Sequence, residues 1–478
     1  MKIMFLIPPS SLETSYGRLK EFSNPQPSIG LAYIAAVLLK DSFEVSILDA
    51  YVDQLEVKKI LLRIEEQRPE VIGISLLSTS VDVVTKLSEL IRRKFPHIKI
   101  AMGNMHASLF SDKILKSRTA DYIIHREGEY TFLELARALR DGKFVEHIKG
   151  LSYCKDGKTI DNSPRELIEK LDQLPYPAWN LFPLDRYGTD PRTEILPGEP
   201  GLQILATRGC PFSCTFCSSK TARSLGSEYR MRNPKKVADE IEYMYKNYGA
   251  RVFSFMDLAF PLVKKHAMAI LQEIIDRKLN KKIYWMTEAR VRPIDYEILK
   301  KMKEAGCVRV NFGIESGNDR IILKILKKGF TTEDVRRAVK LAKKAGIQVD
   351  GMFMIGLPTE TGKEIKQTID FAVELNVRFA IFNIFVPYPG CELYDILTKE
   401  GKIRFKSWAD FTSYPTYSGG KPVYVPDGLR HEELMGLQKY AMRKFYLRPR
   451  FFLNQITHFK PHQLSKYWNG LKGILFQR

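Results

Sequence analysis

The sequence predicts an α/β protein in two successive parts. A doubly wound sheet spans about residues 1–145, and a partial (β/α)6 barrel of the TIM type spans about 201–395. A connector (146–200) joins them and a helical extension (396–478) follows. Three observations predict this. Short, continuous, β-branched apolar runs alternate with amphipathic stretches through both parts, as expected of strands buried on both faces with helices between them. The alternation breaks once, at a proline-rich stretch. Where it resumes, the first strand leads into a short polar loop holding three of the six cysteines.

In the first part, 2–7, 45–48, 71–77, 98–102 and 122–124 read as strands. The amphipathic stretches 30–40, 57–67, 81–95 and 130–141 read as helices. Residues 1–9 are too soon broken by Pro8 and Pro9 for a signal peptide and read as a buried strand. Ligands of such sheets bind beyond the carboxyl ends of the strands. Three loops lie there: Pro8-Pro9-Ser10-Ser11, Ser75-Leu76-Leu77-Ser78-Thr79 and Gly103-Asn104-Met105-His106-Ala107. Small and hydroxylated residues allow a ligand close approach, although loops of this kind occur on any α/β sheet.

The connector carries Asp156-Gly157, a hairpin signal, then Leu174-Pro175-Tyr176-Pro177-Ala178-Trp179 and Pro197-Gly198-Glu199-Pro200. Prolines at this density preclude long helices. In the barrel, 204–207, 252–256, 283–286, 308–313, 348–355 and 380–386 read as strands, with helices at 234–247, 263–277 and 333–344. Pro234 fits a first helical turn, and Gly306 and Gly346 fit helix C-terminal caps. Chemistry in such barrels sits at the carboxyl ends of the strands.

The cysteine loop is Cys210-Pro211-Phe212-Ser213-Cys214-Thr215-Phe216-Cys217. Thiolates are soft ligands, and cysteines clustered in one loop favour an iron–sulfur cluster or zinc. Three ligands on a four-iron cluster leave one iron open to a substrate. A structural zinc site needs a fourth ligand, and His266, the nearest downstream histidine, is far off. Asp257 ends the second barrel strand, where its carboxylate suits an ammonium group or a helix N-terminus. Arg290, after the third, can grip a carboxylate bidentately, with Glu288 beside it to neutralise it.

The net charge of +20 opens attraction to nucleic acid, anionic lipid or an acidic partner. Six cysteines in 478 residues make no disulfide framework, which fits a reducing, cytoplasmic setting. No run of 18 apolar residues occurs, so no transmembrane helix is expected.

The C-x3-C-x-Phe-C spacing resembles that of the radical S-adenosylmethionine (radical SAM) enzymes. The resemblance implies that Cys210, Cys214 and Cys217 hold a [4Fe–4S] cluster whose fourth iron chelates SAM, with Phe216 beside the adenine. It implies that Asp257 stands in for the family's amino-group ligand and that Arg290 meets the SAM carboxylate. Asn311-Phe312-Gly313-Ile314-Glu315-Ser316-Gly317 matches the family's F-G-x-E-S-G. Glu315 and Ser316 would lie near the ribose or methionine, or form a buried structural pair. Gly356-Leu357-Pro358-Thr359-Glu360-Thr361 resembles G-x-P-G-E-T with Thr359 in place of glycine, and Pro387-Tyr388-Pro389-Gly390-Cys391 resembles P-Y-P-G-T. Cys391 reads as packed, and Cys154 and Cys307 read as structural.

With that loop downstream, the first part is similar to the Rossmann-like cobalamin-binding domain of cobalamin-dependent members. Ser75, Leu76 and Ser78 fall in the S-x-L element beside the cofactor's nucleotide tail, and Gly103-Asn104 stands where Gly-Gly is usual. Glu127-Gly128-Glu129 resembles the domain's G-E-G-E ending. The D-x-H-x-x-G element that supplies a cobalt ligand is absent. Cobalamin would then bind without a histidine, His106 being a loop or cap residue. Asn104 would crowd the tail.

From Lys439 onward no acidic residue occurs, and Arg443, Lys444, Phe445, Tyr446, Arg448, Arg450, Phe451, Phe452, Phe459, Lys460, Tyr467, Trp468, Lys472 and Phe476 interleave cations with aromatics. That pattern suits a membrane surface, or a helix packed on the barrel; single-stranded nucleic acid ranks well behind. The resemblance implies a C-methyltransferase acting on a small, hydrophobic or lipid-like substrate. One SAM would methylate cobalamin, a second would yield the deoxyadenosyl radical, and flavodoxin or ferredoxin would supply electrons. A cyclase or carbon–carbon coupling enzyme without methyl transfer is the alternative. A nucleic-acid-binding protein with a structural metal is the non-enzymatic one. The protein would be cytoplasmic, with peripheral contact at the inner face of the membrane.

Overall fold

The computed structural model describes residues 1–9, 25–187, 195, 196, 199, 201–218, 228–258, 260–449, 451 and 472. Ser10, Ser11, most of Pro197–Pro200 and the tail aromatics from Phe452 onward lie outside the described residues.

The first sheet has seven strands: β1 (Lys2–Ile7), β2 (Glu44–Asp49), β3 (Val71–Ser75), β4 (Lys99–Gly103), β5 (Tyr122–Ile124), β6 (Leu151–Lys155) and β7 (Lys158–Asp161). Their order is β2-β1-β3-β4-β5-β6-β7. The first five are parallel, and β6 and β7 run antiparallel to their neighbours. Alternate residues of β1 enter different cores, as the period of two requires. Ile3 and Phe5 pack under α1 (Ile29–Lys40) and α6 (Glu129–Arg140). Met4 and Leu6 pack under α2 (Val57–Gln67) and α3 (Val81–Lys94). Helices on both faces are why these strands read as continuous apolar runs. Two short helices, α4 (Met105–Leu109) and α5 (Ser111–Lys116), follow β4.

Two boundaries of the first sheet differ by more than one residue from the sequence reading. β3 stops at Ser75 rather than residue 77, because Leu77 turns out to solvent and the Ser80 hydroxyl accepts its amide in a tight turn. The Asp156-Gly157 turn, both residues at positive φ, extends the first sheet to Asp161.

The second sheet is an open barrel of six parallel strands: β8 (Gly201–Ile204), β11 (Val252–Phe255), β12 (Tyr284–Ala289), β13 (Cys307–Glu315), β14 (Gln348–Ile355) and β15 (Phe379–Ile384). The order β15-β14-β13-β12-β11-β8 leaves β15 and β8 unjoined. β8 begins and ends earlier than expected, because Thr207 and Arg208 form β9 (Thr207–Arg208), which pairs with β10 (Arg230–Met231). The helices are α7 (Pro234–Tyr248), α8 (Lys264–Asp276), α9 (Tyr296–Glu304), α10 (Thr332–Lys344), α11 (Gly362–Leu375) and α12 (Glu392–Lys399). Pro234 opens α7 behind an Asn233 cap.

α13 (His431–Tyr446) lies along β15 and α11. Tyr446 Oη donates to Ala380 O at 2.8 Å and Gln438 Nε2 to Phe382 O at 2.8 Å. Carbonyls of the outermost strand are thus satisfied by the extension, which protects an edge that would otherwise pair with another chain. Phe445 is fully buried, and Phe451 packs on Phe379 and Tyr446. These first tail aromatics therefore serve the barrel. Among the described residues, no helix is long and apolar enough to cross a membrane.

Candidate active site

The strands β9 and β10 pinch the base of the cysteine loop. Gly209 between them has φ +90°, and a Cβ there would lie 2.2 Å from Glu228 O. Only glycine lets the chain pass so closely. Beyond it the loop is tied down at its middle. Thr215 Oγ1 donates to Ile325 O at 2.6 Å, and Leu393 N donates to Thr215 O at 3.0 Å. Cys214 is buried, and Cys210 and Cys217 are partly open. Burial pushes the Cys210 thiol up, the Phe212 amide opposes this, and the nearby Cys217 and Cys214 add to it. The three thiols are free and within electrostatic reach of one another. Among the described residues no three Cys, His, Asp or Glu side chains gather closely enough for one metal ion. A four-iron cube takes each thiolate on a different iron, so its ligands need only face one space.

The strand-end residues separate into two groups. Arg290 lies against the loop, and Glu315 and Glu288 lie near each other at the neighbouring strand ends. Arg290 Nη1 lies 3.4 Å from Cys214 Sγ, its guanidinium stacks 3.6 Å over the Phe212 ring, and Nη2 donates to Lys328 O. Its Nε is buried without a partner. Glu315 lies at a bulge in the β13–β14 pairing, at φ +69°, and accepts from Lys328 Nζ at 2.7 Å. Lys328 also lies 5.5 Å over Phe216, whose ring packs among Leu357, Phe385 and Cys391. Glu288 reaches solvent yet is ringed by the barrel wall, so burial and then the Glu315 charge push its carboxyl up.

Asp257 and Ser316 are committed elsewhere. Asp257 accepts from Ala206 N at 3.1 Å and from Thr207 Oγ1 at 2.5 Å, locking β8 to β9. Burial raises its carboxyl to about 6, against the Thr207 hydroxyl. Ser316 is fully buried, bonds Thr368 Oγ1 at 3.1 Å and accepts from Asn318 N. Cys391 caps α12, accepting from Tyr394 N, and burial pushes its thiol up to about 11. Glu360, from the fifth strand end, accepts from Gly356 N and Leu357 N, and burial raises it to about 8.

The first sheet turns its carboxyl edge toward this loop. Its strand order reverses between β1 and β3, where doubly wound sheets bind ligands. A cavity of about 540 Å³ opens there, lined by Gly73, Ser75, Gly103, Asn104 and Gly128 from one side and by Thr207, Arg208 and Gly209 from the other. A Cβ on Gly73 would lie 2.6 Å from the Phe5 ring, and one on Gly128 3.1 Å from Ile34. The absent side chains are what let Phe5 and Ile34 pack against this wall. Leu76 lies in the core beneath, its amide donating to Gly103 O. Asn104 takes a glycine-like conformation, φ +82° and ψ 174°, with its Nδ2 on Ser75 Oγ at 3.1 Å. Ser78 and His106 turn aside: Ser78 Oγ bonds His106 Nδ1 at 3.0 Å, and the imidazole packs on Phe110 and Trp408.

Sequence reasoning missed the join between the two parts. Glu127 accepts from Arg230 at 2.9 Å, from Arg208 at 3.0 Å and from Ile168 N at 2.8 Å, and Glu129 accepts from Arg208 at 2.6 Å. Burial alone would raise the Glu127 carboxyl, but Arg230 and Arg208 hold it below the usual range. The Glu-Gly-Glu string was visible, but its arginine partners lie some 80 and 100 residues away.

A second cavity, about 770 Å³, lies between β15 and β8 of the barrel and the ends of β1 and β2. Ser28, Gly30, Ser75 and Asn104 line both cavities.

Comparison with known proteins agrees with this geometry. The radical SAM superfamily matches residues 204–372 and the B12 binding domain matches 18–136. An uncharacterised methyltransferase of Pyrococcus horikoshii is 31% identical over 100% of this chain and 99% of its own. An anaerobic magnesium-protoporphyrin IX monomethyl ester cyclase of Rubrivivax gelatinosus is 27% identical over 95% of this chain and 80% of its own. The radical SAM methyltransferase TsrM of Kitasatospora setae, solved with cobalamin and a [4Fe–4S] cluster, superposes with a TM-score of 0.70 at 19% identity. It covers 97% of this chain and 90% of its own, a likeness of fold. These matches bring with them a [4Fe–4S] cluster, SAM and cobalamin, and the glycine-floored cavity and free thiols fit that set. The chain belongs to the radical SAM superfamily, among the enzymes that carry a B12-binding domain.

Proposed function

We propose that this enzyme transfers a methyl group to carbon on a small substrate held between its two parts. One observation carries the reading: a single cavity is walled by the B12-binding sheet edge and by the residues that lead into the cysteine loop. When bound, the cluster would supply the electron that cleaves SAM, and cobalamin would supply a methyl carrier. Cys210, Cys214 and Cys217 would hold the cluster. Arg290, beside Cys214 with its Nε unpaired, would offset thiolate charge and present a donor to SAM. Phe216 would wall the adenine, Glu288 would hold the amino group, and Lys328 holds Glu315 in place. Asp257 and Ser316 act by positioning strand ends rather than by touching ligand. Ser75, Gly103 and Asn104 would border the nucleotide tail, with Leu76 and Ser78 beneath.

The test is anaerobic reconstitution with reductant, cobalamin and methyl-labelled SAM, fed extracts of the native host. Both S-adenosylhomocysteine and 5′-deoxyadenosine, with label in one product, support methyl transfer. Deoxyadenosine alone points to the ring-closing chemistry named for the Rubrivivax relative. A hydrophobic substrate delivered at a bilayer rests on the tail sequence, where Lys460, Lys466, Lys472 and Arg478 stand among aromatics without an acid. Binding to anionic vesicles checks it.

A further inference from the structure

Two cations stand beside the cysteine loop, and their charges are spent differently. Lys328 Nζ donates to Glu315 Oε1 at 2.7 Å and to Gly313 O at 2.7 Å, so a carboxylate matches its charge. Arg290 has no such match. Among the described residues its guanidinium meets no carboxylate: Nη1 donates to Cys214 Sγ at 3.4 Å, and Nη2 donates to the Lys328 carbonyl. Arginine keeps its charge throughout the working range of a protein, and a partly buried charge without a counter-charge is costly. The Cys214 sulfur is the group placed to answer it.

The surroundings make that charge count. The guanidinium lies 3.6 Å from the centre of the Phe212 ring and 5.7 Å from that of Phe330. Rings so close displace water, and a charge acts more strongly at short range where water is displaced. Cys214 is the buried thiol of the three. The bond from Nη2 to the Lys328 carbonyl fixes the other arm of the fork, which keeps Nη1 on the sulfur. Potentials of iron–sulfur clusters are set by nearby charge and by hydrogen bonds to the sulfurs. A cation and an N–H at a ligating sulfur favour the more negative, reduced cluster over the oxidised one.

We propose that Arg290 is a positioned cation that raises the reduction potential of the cluster, through Cys214, before SAM is bound. The assignment rests on the placement of that cluster at Cys210, Cys214 and Cys217 above. It gives Arg290 a task on the sulfur side that a SAM carboxylate does not share. The step concerned is the gain of one electron from the external reductant, with no proton moved and no bond broken. A raised potential brings that step within reach of a weaker reductant.

The test is an EPR-monitored redox titration of the anaerobically reconstituted full chain, without SAM. Arg290→Gln keeps an N–H donor but removes the charge. It should lower the midpoint by about 59 mV, a tenfold loss in the ratio of reduced to oxidised cluster at a fixed potential. Arg290→Lys keeps the charge and should lose less. Wild-type protein grown on arginine labelled at its guanidinium nitrogens should show coupling to the label in the pulsed EPR signal of the reduced cluster. A midpoint that Arg290→Gln leaves unmoved, with iron content intact, overturns the assignment, and so does a wild type without that coupling. A shift that appears only once SAM is added overturns it too, and leaves Arg290 to the SAM carboxylate alone. If Arg290→Gln holds no iron, the labelled wild type decides: coupling supports the assignment and its absence overturns it. A wild-type chain that assembles no four-iron cluster overturns both this assignment and the placement of the cluster at the three cysteines.

Discussion

Gly209 and Asp257 set the shape of the cysteine loop without being cysteines. Gly209→Ala would drive a Cβ into a backbone carbonyl at a conformation that side chains avoid. The expected result is a protein that folds but retains little iron after anaerobic reconstitution. Cys214→Ala should likewise lose the brown absorbance near 400 nm, since it removes the buried thiol of the three. Asp257→Ala leaves Ala206 N and Thr207 Oγ1 without their acceptor, at about 1–3 kcal/mol per orphaned group. Lowered melting of the apo-protein, larger than for Asp257→Asn, checks it. At this scale the sequence offered candidate ligands but not their supports. The cysteine spacing is covalent and local, whereas the partners of Asp257 lie about 50 residues upstream. Ser316 shows the same limit. Its motif was legible, and its use, a buried bond to Thr368, depends on α11 arriving beside it.

Among elements, the segment around Trp408 is the least legible and the most consequential. Trp408 packs against His106 and Phe110 of the first part, and Ser407 Oγ bonds Asp82. No periodicity predicts a contact across some 300 residues. Burial, helped by the Lys113 charge and opposed by Asp82, lowers the His106 imidazole to about 4 from 6.5. The unfolded chain therefore takes up a proton first as pH falls. Stability from this contact is complete above about 6.5 and is lost as pH drops through 4. Wild-type melting temperature should fall across that window, and His106→Phe should flatten the dependence. The strands and helices were legible because each buries both faces or one stripe. Where β8 stopped short, the β9–β10 pairing across the cysteine loop took its last residues.

For the whole molecule, the ion cluster of Glu127, Glu129, Arg208 and Arg230 fastens the B12-binding sheet to the base of the cysteine loop. Removing one partner of a buried pair costs about 3–5 kcal/mol, because a charge is left stranded. Arg208→Ala should therefore loosen the two parts, seen as faster proteolysis between them and at least tenfold weaker cobalamin binding. Arg208→Lys should recover part of both. The order of the two parts and the closed or open state of each sheet followed from strand count. Their mutual orientation did not, because it is written in side chains that meet only after both have folded.

The missing wall between β15 and β8 has a further consequence. A closed barrel admits a guest only along its axis and caps its girth at the barrel's radius. Here the gap faces the first sheet, and the spacing between the two lobes sets the room available. Broad planar molecules and slim ones can share the same machinery if the lobes are merely held nearer or farther apart.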